Sequence, residues 1–520
     1  MTDDSQSDDV LRLLERGLFY LDCGLTEDAI GYLEQAEALA PDDPRIAQAL
    51  ARVRPEPARE GRVFTVRPKT PSVPVSSDPS QDHDNRVAAF TAAYRVRDWT
   101  AAAVAARSLA AADPDDPKAW ASLANAERRL GRFDAALDAH DRAIAVSGGD
   151  PSHLTARAKT LWEAGRYETA EAAYLELLPR LDENGVDHAD AWMSLGMIRM
   201  TRGGPAAGVD AFEWRWRAGE IRLPEVAQPY WDGTLQPDKR ILFYGEQGFG
   251  DAIQFARYVP LIAARCKQVI LPCKPPLLRL MRSLKGGAEV CEEKIARDSF
   301  DLYVPAMSCM RLFGAAADAI PRGVPYLAAA DGDLHRLRPV IAARKGLRVG
   351  ITWTGSPTNG GDWKRAVDPA LFAALGRVPD VVLFSLQKVR DDTPSSLRRL
   401  PEGAVDLDPL LNDFADTAAA IECLDLIVTA DTSVAHLAGA LGKPVWVLIP
   451  TVPDWRWMLD RDDSPWYPTL RLYRQRQFAD WAEVMARVAA DLETFRPRQN
   501  AAPENGRDRK GLTRLLPWRR

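Results

Sequence analysis

A step of 34 residues carries Gly131, Phe133, Ala136 and His140 onto Gly165, Tyr167, Ala170 and Tyr174. One step back from Phe133 and Ala136 reaches Trp99 and Ala102. These coincidences at one spacing constrain the chain more than any other feature. A unit of that length cannot bury its apolar face alone and must stack on neighbours. Alanines at 102, 136 and 170 let paired helices approach, and the aromatics fill the gap between successive pairs. A plain helical bundle would use the same residues singly, without the period. The pattern predicts an α-solenoid over residues 86–217 with a concave face suited to holding a protein. An isolated unit of the same style lies within 1–52 (Gly24, Ala29, Tyr32, Ala36, Pro41), and the Pro- and Ser-rich stretch 53–85 reads as a linker.

After Phe212 the grammar changes. Short apolar runs alternate with amphipathic stretches: Arg240 to Tyr244, Gln268 to Leu271, Leu347 to Trp353, Val381 to Leu386, Leu424 to Thr429, Pro444 to Ile449. Such alternation predicts parallel sheets covered by helices. The basic stretch Leu334 to Lys345 falls midway, so two Rossmann-like lobes are expected, at 238–340 and 345–495, followed by a basic tail at 496–520. The 67 basic and 73 acidic residues leave a net charge of −6 and no broad positive surface for nucleic acid. An acidic N-terminus without an apolar core behind it, and charges scattered through the most apolar stretch, point to a cytoplasmic protein that is not integral to a membrane. The cysteines form no CxxC pair and the histidines have no ligand spacing, so no metal is expected.

Two turns carry the chemistry. Arg240 to Tyr244 runs into a glycine-rich turn containing Glu246, Gly248, Gly250 and Asp251, and then into an apolar-periodic helix. Glycines there let a ligand approach the backbone at a positive helix terminus. Their spacing is not that of the dinucleotide fingerprint, and no acidic residue occurs between Ala252 and Gly287 to take a ribose hydroxyl. No GK[ST] follows a glycine-rich loop, which removes the P-loop NTPases. What remains is a carboxylate, Asp251, able to cap the helix or to take a hydroxyl proton. In the second lobe, the strand ending at Thr429 leads through Asp431, Thr432 and Ser433 into a helix bearing His436. The amides of Thr432 to Val434 form an anion pocket at the carboxyl end of that strand. Lys364, Arg365 and Lys388 could offset phosphate charge, with Gln387 beside them. The stretch Asp454-Trp-Arg-Trp457 could line a sugar cleft by stacking or equally pack as core.

The repeat pattern resembles the tetratricopeptide repeat. The blocks GEQGFGDAIQFARYVP, VGITWTGSP, FSLQK, DFADTAAAIECLDLIVTADTSVAHLAGALGKPVWVLIP and DWRWMLDRDDSPWYPTLRLYRQ resemble bacterial tetratricopeptide-repeat glycosyltransferases. That family is similar to lipopolysaccharide heptosyltransferases and, more distantly, to protein O-GlcNAc transferase. The resemblance implies a GT-B fold and metal-independent, inverting transfer from a nucleotide-sugar, with no further cofactor. It implies Asp251, beside Gly250, as general base, and a donor held by Gln387, Lys388, Asp431, Thr432, Ser433 and His436; Glu246, Gly248, Lys364 and Arg365 are expected at the site from their places in the sequence. One departure is Arg365-Ala366, where an arginine-serine pair often follows the WxGxP block. Repeats fused to such lobes imply a protein acceptor, and the layout also resembles flagellin glycosyltransferases, whose donors are nonulosonic acids. The alternatives are a lipopolysaccharide-type transferase and a non-catalytic repeat scaffold. A repeat fragment spanning 84–220 is expected to fold alone, and a fragment beginning near Gln236 to bind donor.

Overall fold

The computed structural model describes residues 79–218, 226–246, 248–293, 295–296, 299–356, 361–390 and 393–496, together with 43–51 and the positions 10, 13–14, 33–37 and 40–41. The basic tail beyond Arg496 and most of the N-terminal unit and linker lie outside the described residues. Helix α1 (Pro44–Ala51) belongs to the N-terminal unit. The array begins with α2 (Pro79–Arg95), seven residues before the expected boundary at 86, because Asp82 ties Arg86 into the first turns. Antiparallel partners follow: α3 (Trp99–Ala112), α4 (Pro117–Arg129), α5 (Phe133–Val146), α6 (Pro151–Glu163), α7 (Tyr167–Leu177) and α8 (Val186–Gly203).

The local sequence explains where these helices start and stop. Asp98, Asp116 and Asp150 cap their helices by accepting backbone N–H groups, and Pro117 and Pro151 occupy the first turn, where no N–H is missed. Gly131 and Gly165, the periodic glycines, adopt φ of 72° and 73°, a left-handed conformation that closes the turn between paired helices. Ala102, Ala136 and Ala170 are fully buried, as close helix approach requires.

The remainder forms two α/β lobes. The first holds a four-stranded parallel sheet in the order β3-β2-β1-β4, from β1 (Gln236–Tyr244), β2 (Cys266–Cys273), β3 (Glu289–Glu292) and β4 (Leu302–Pro305). The second holds six parallel strands in the order β10-β9-β8-β5-β6-β7, from β5 (Leu347–Thr352), β6 (Val381–Ser385), β7 (Val405–Asp406), β8 (Leu426–Ala430), β9 (Val445–Ile449) and β10 (Leu470–Arg474). Strands β8 and β9 are buried throughout and read as unbroken apolar runs, as parallel strands covered on both faces do. The order reverses beside β5 and β8, and ligands of open α/β sheets bind at such switch points. The chain thus joins an α-solenoid to two Rossmann-like lobes in the GT-B arrangement.

A continuous core runs from the last repeat (Ala189, Met193, Phe212) through the first lobe into the helices of the second (Val434, Leu437, Trp457). Contacts specific to the repeats reinforce it. Buried Arg215 pairs with Glu213 and Glu246 and donates to Ser308. Leu459 donates its N–H to the Thr201 carbonyl at 3.1 Å. The repeats are therefore built onto the lobes rather than tethered to them. Among the described residues, no helix is long and apolar enough to cross a membrane.

Candidate active site

A cleft of about 730 Å³ opens between the lobes, lined by the carboxyl ends of β5, β6 and β8 and by the glycine-rich turn after β1. It brings together Gly248, Gly250, Asp251, Arg365, Gln387, Lys388, Asp431, Thr432, Ser433 and His436, which are far apart in sequence.

Asp251 sits in the first turn of α9 (Phe249–Phe255), where its Oδ2 accepts the Gly248 N–H at 2.9 Å. That bond is the helix-cap role. It leaves Oδ1, which pairs with Arg456 Nη2 at 2.5 Å across the lobe interface. Gly250 meets the opposing lobe directly: a Cβ there would lie 3.0 Å from His436 Cδ2 and 3.5 Å from the Ser433 Cα. Glycine at this point is what allows the turn that carries Asp251 to close on the opposite helix.

That opposite helix, α10 (Ser433–Ala440), is capped by Thr432, whose hydroxyl accepts the Val434 N–H at 3.3 Å. The Val434 amide, offered to an anion in the sequence reading, is thus engaged by its own cap. The helix terminus still directs its positive end into the cleft. His436 is buried, shares a hydrogen bond of 3.0 Å with the Tyr467 hydroxyl, and stacks on Trp457. Burial first, then the nearby Arg456, Arg257 and Arg365, hold its pKa well below the ordinary histidine value, so the ring is neutral. Asp431 shows the reverse. Burial pushes its carboxyl up to about 6, against the attraction of Arg365 and with the repulsion of Asp454.

Gln387 and Lys388 reach the cleft in different ways. The Gln387 Oε1 accepts the amides of Trp353 and Thr354, each at 3.1 Å, and so fixes the loop after β5. Lys388 is half exposed, pairs with the Asp408 carboxylate and donates to the Asp408 carbonyl at 3.1 Å. Arg365 donates to Asp362 at 3.0 Å.

Two expected site residues lie elsewhere. Glu246 is fully buried at the junction with the repeats. Both its carboxylate oxygens accept from Arg215, at 2.8 and 3.2 Å, and one also accepts the Met307 N–H at 2.6 Å. Burial raises its pKa while Arg215 opposes the rise. It ties elements together and does not face the cleft. Lys364 points away from the cleft and pairs with Glu163 of the repeats at 2.6 Å.

The sequence reading missed Arg456 as a site residue. It donates to Gln254 and Asp454 as well as Asp251 and lies over the Trp455 ring at 4.3 Å. Burial disfavours its charge, but Asp454 and Asp251 more than offset that, and its pKa stands above the ordinary arginine value. Its signal was present in Asp454-Trp-Arg-Trp457, where the tryptophans drew attention; Trp455 and Trp457 themselves are core. Lys274, Arg390, Asn412 and Phe414 also line the cleft and were not singled out.

The tetratricopeptide-repeat family matches residues 117–160 and again residues 155–214. Over 419 residues the chain is 24% identical to Protein FlbA of Caulobacter vibrioides, covering 74% of this chain and 68% of that one. Among solved structures, it is similar to a glycosyl transferase family 9 protein from Veillonella parvula (TM-score 0.36, 11% identity, 47% of this chain and 88% of the other). It is also similar to the E. coli ADP-heptose heptosyltransferase II (TM-score 0.33, 12% identity, 49% and 99%). An O-GlcNAc transferase mutant from Thermobaculum terrenum spans more of the chain (TM-score 0.27, 14% identity, 82% and 88%).

Proposed function

We propose that this chain is a protein glycosyltransferase that moves a sugar from a nucleotide-sugar donor to a serine or threonine of a protein held by the repeats. The observation that carries this reading is the cleft itself, which sets the Asp251 carboxylate opposite a helix N-terminus flanked by Arg365 and Lys388. A proton acceptor facing an anion site is what displacement of a phosphate-linked sugar requires.

In this mechanism Asp251, oriented by Gly248 and Arg456, takes the proton of the acceptor hydroxyl. The oxygen attacks the anomeric carbon from the face opposite the leaving group, and the bond to the nucleotide phosphate breaks with inversion. Charge on the leaving phosphate is met by the α10 terminus, Arg365 and Lys388, in place of a metal or other cofactor. Lys388 would exchange its Asp408 partner for phosphate when donor enters.

Flagellin is the proposed acceptor and a nonulosonic acid the proposed sugar, and the reaction is placed in the cytoplasm. The layout of repeats ahead of the lobes supports the choice of a protein acceptor. Its test is the intact mass of secreted flagellin from cells with and without the protein. A loss of mass in whole nonulosonic acid units is expected. If flagellin mass does not change, both the acceptor and the sugar assignment fail. If purified chain transfers no sugar to any protein of the same cells, the transferase reading fails too.

A further inference from the structure

The short helix Asp362–Arg365 faces two ways. On its cleft side, Asp362 accepts the Thr354 hydroxyl at 2.7 Å and the Gly355 N–H at 3.1 Å, and it holds Arg365. A Cβ on Gly355 would lie 2.7 Å from Arg365 Nη2, so the guanidinium lies against that loop. On its other side the helix belongs to the repeats. The Arg129 guanidinium sits between the rings of Trp99 and Trp363, at 4.6 and 4.5 Å from their centroids. Trp363 then meets Phe478, which meets Phe133 at 5.5 Å. Lys364 pairs with Glu163 at 2.6 Å, both largely buried, and Glu163 is also paired with Arg128. Arg128 donates to Asn125 at 2.7 Å, and Asn125 to the Tyr94 hydroxyl at 2.8 Å.

One turn of helix does not hold its own shape, so neighbours must fix its orientation. A buried ammonium keeps its place only with its partner. Asp362 and Phe478 hold the helix from within the second lobe, and the repeats add the contacts at Trp363 and Lys364. We infer that the repeat array completes the donor site, with Arg129 and Glu163 acting through Trp363 and Lys364 to position Arg365 in the cleft. This rests on the reading of the cleft as a nucleotide-sugar site. Trp363 and Lys364 are positioning residues; Arg365 is the group that meets donor.

The test uses the full chain and calorimetry with UDP, GDP, ADP and CMP, taking whichever the native chain binds. Trp363→Leu should weaken that nucleotide about tenfold, and in an Arg365→Ala background the same substitution should change affinity by less than about twofold, the non-additivity expected of a residue acting through another. Trp363→Phe, which keeps a ring over Arg129, should restore most of the affinity. If Trp363→Leu does not fold, Arg129→Met keeps most of the buried volume, removes the charge between the rings and carries the same expectation. Equal losses with and without Arg365 would overturn the inference while leaving the cleft assignment intact. A native chain that binds none of the four nucleotides would overturn the cleft assignment itself, and the inference with it.

Discussion

At the scale of single residues, the cleft separates two carboxylates by environment. Asp251 is partly exposed and paired with Arg456, whereas Asp431 is buried with its carboxyl raised. Asp251→Asn keeps size and the Gly248 contact but removes the proton acceptor. Turnover should fall by a factor of about 100 or more with donor affinity nearly unchanged; near-normal turnover would reduce Asp251 to a helix cap. Asp431 makes a pH prediction. Its folded pKa of about 6 stands above the 3.8 of an ordinary aspartate, so the native state binds a proton that the unfolded chain has already released. That contribution to stability is full below about pH 4 and is lost as pH rises through about 6. Asp431→Asn, neutral throughout, should therefore gain in Tm over the native chain as pH rises from about 4 to about 6. A difference constant over that range would sink the assignment. Ten of the expected residues line one cleft, and those in the turns after β1 and β8 were legible because glycine spacing and strand-turn-helix patterns mark backbone positions. Glu246 and Lys364 were misplaced because their partners, Arg215 and Glu163, lie 31 and 201 residues away in sequence. No local spacing records such a partner.

At the scale of elements, the periodic glycines do more than turn the chain. Gly131 has a φ of 72°, and a Cβ there would fall 2.3 Å from the Phe478 ring. Phe478 comes from the loop after β10, so one glycine serves both a repeat turn and its contact with the second lobe. Gly131→Ala should cost about 1–3 kcal/mol through strain and overpacking together. Gly165 has the same dihedral but open space around it, so Gly165→Ala should cost less, about 1 kcal/mol. Thermal denaturation of the two variants decides the matter, and equal losses would remove Phe478 from the account. The expected strands lie at or within two residues of β5, β6, β8 and β9, whose apolar runs are mostly buried. Strands β3 and β7 have four and two residues, too short to show a period. Strand β10 reads Leu-Arg-Leu-Tyr-Arg, an edge strand whose two arginines, three residues apart, break the period of two.

At the scale of the molecule, the expectation of separable halves meets a junction of buried pairs and shared core. A fragment beginning near Gln236 would lose the partners of Glu246, Lys364 and Trp363 and would bare the apolar surface that Ala189, Met193 and Phe212 cover in the shared core. Losing that burial is destabilising in proportion to the apolar area exposed. Fragment 226–496 should therefore melt without a cooperative transition, and residues 79–218 added in trans should restore one. A sharp, native-like transition for the lobes alone would show that the junction is dispensable. The repeat period was visible because it is written in the sequence at fixed steps; the docking of repeats on lobes was not, because it is made by pairs with no common spacing. For protein engineers, the buried Glu163–Lys364 pair sets where a graft can be made. Repeat cassettes from a relative could replace the units before Trp99 provided that Tyr94, the partner of Asn125, is kept, whereas swaps reaching Arg129 or Glu163 would have to carry matching changes at Trp363, Lys364 and Phe478, so retargeting this chain to a new acceptor should begin at its N-terminal end.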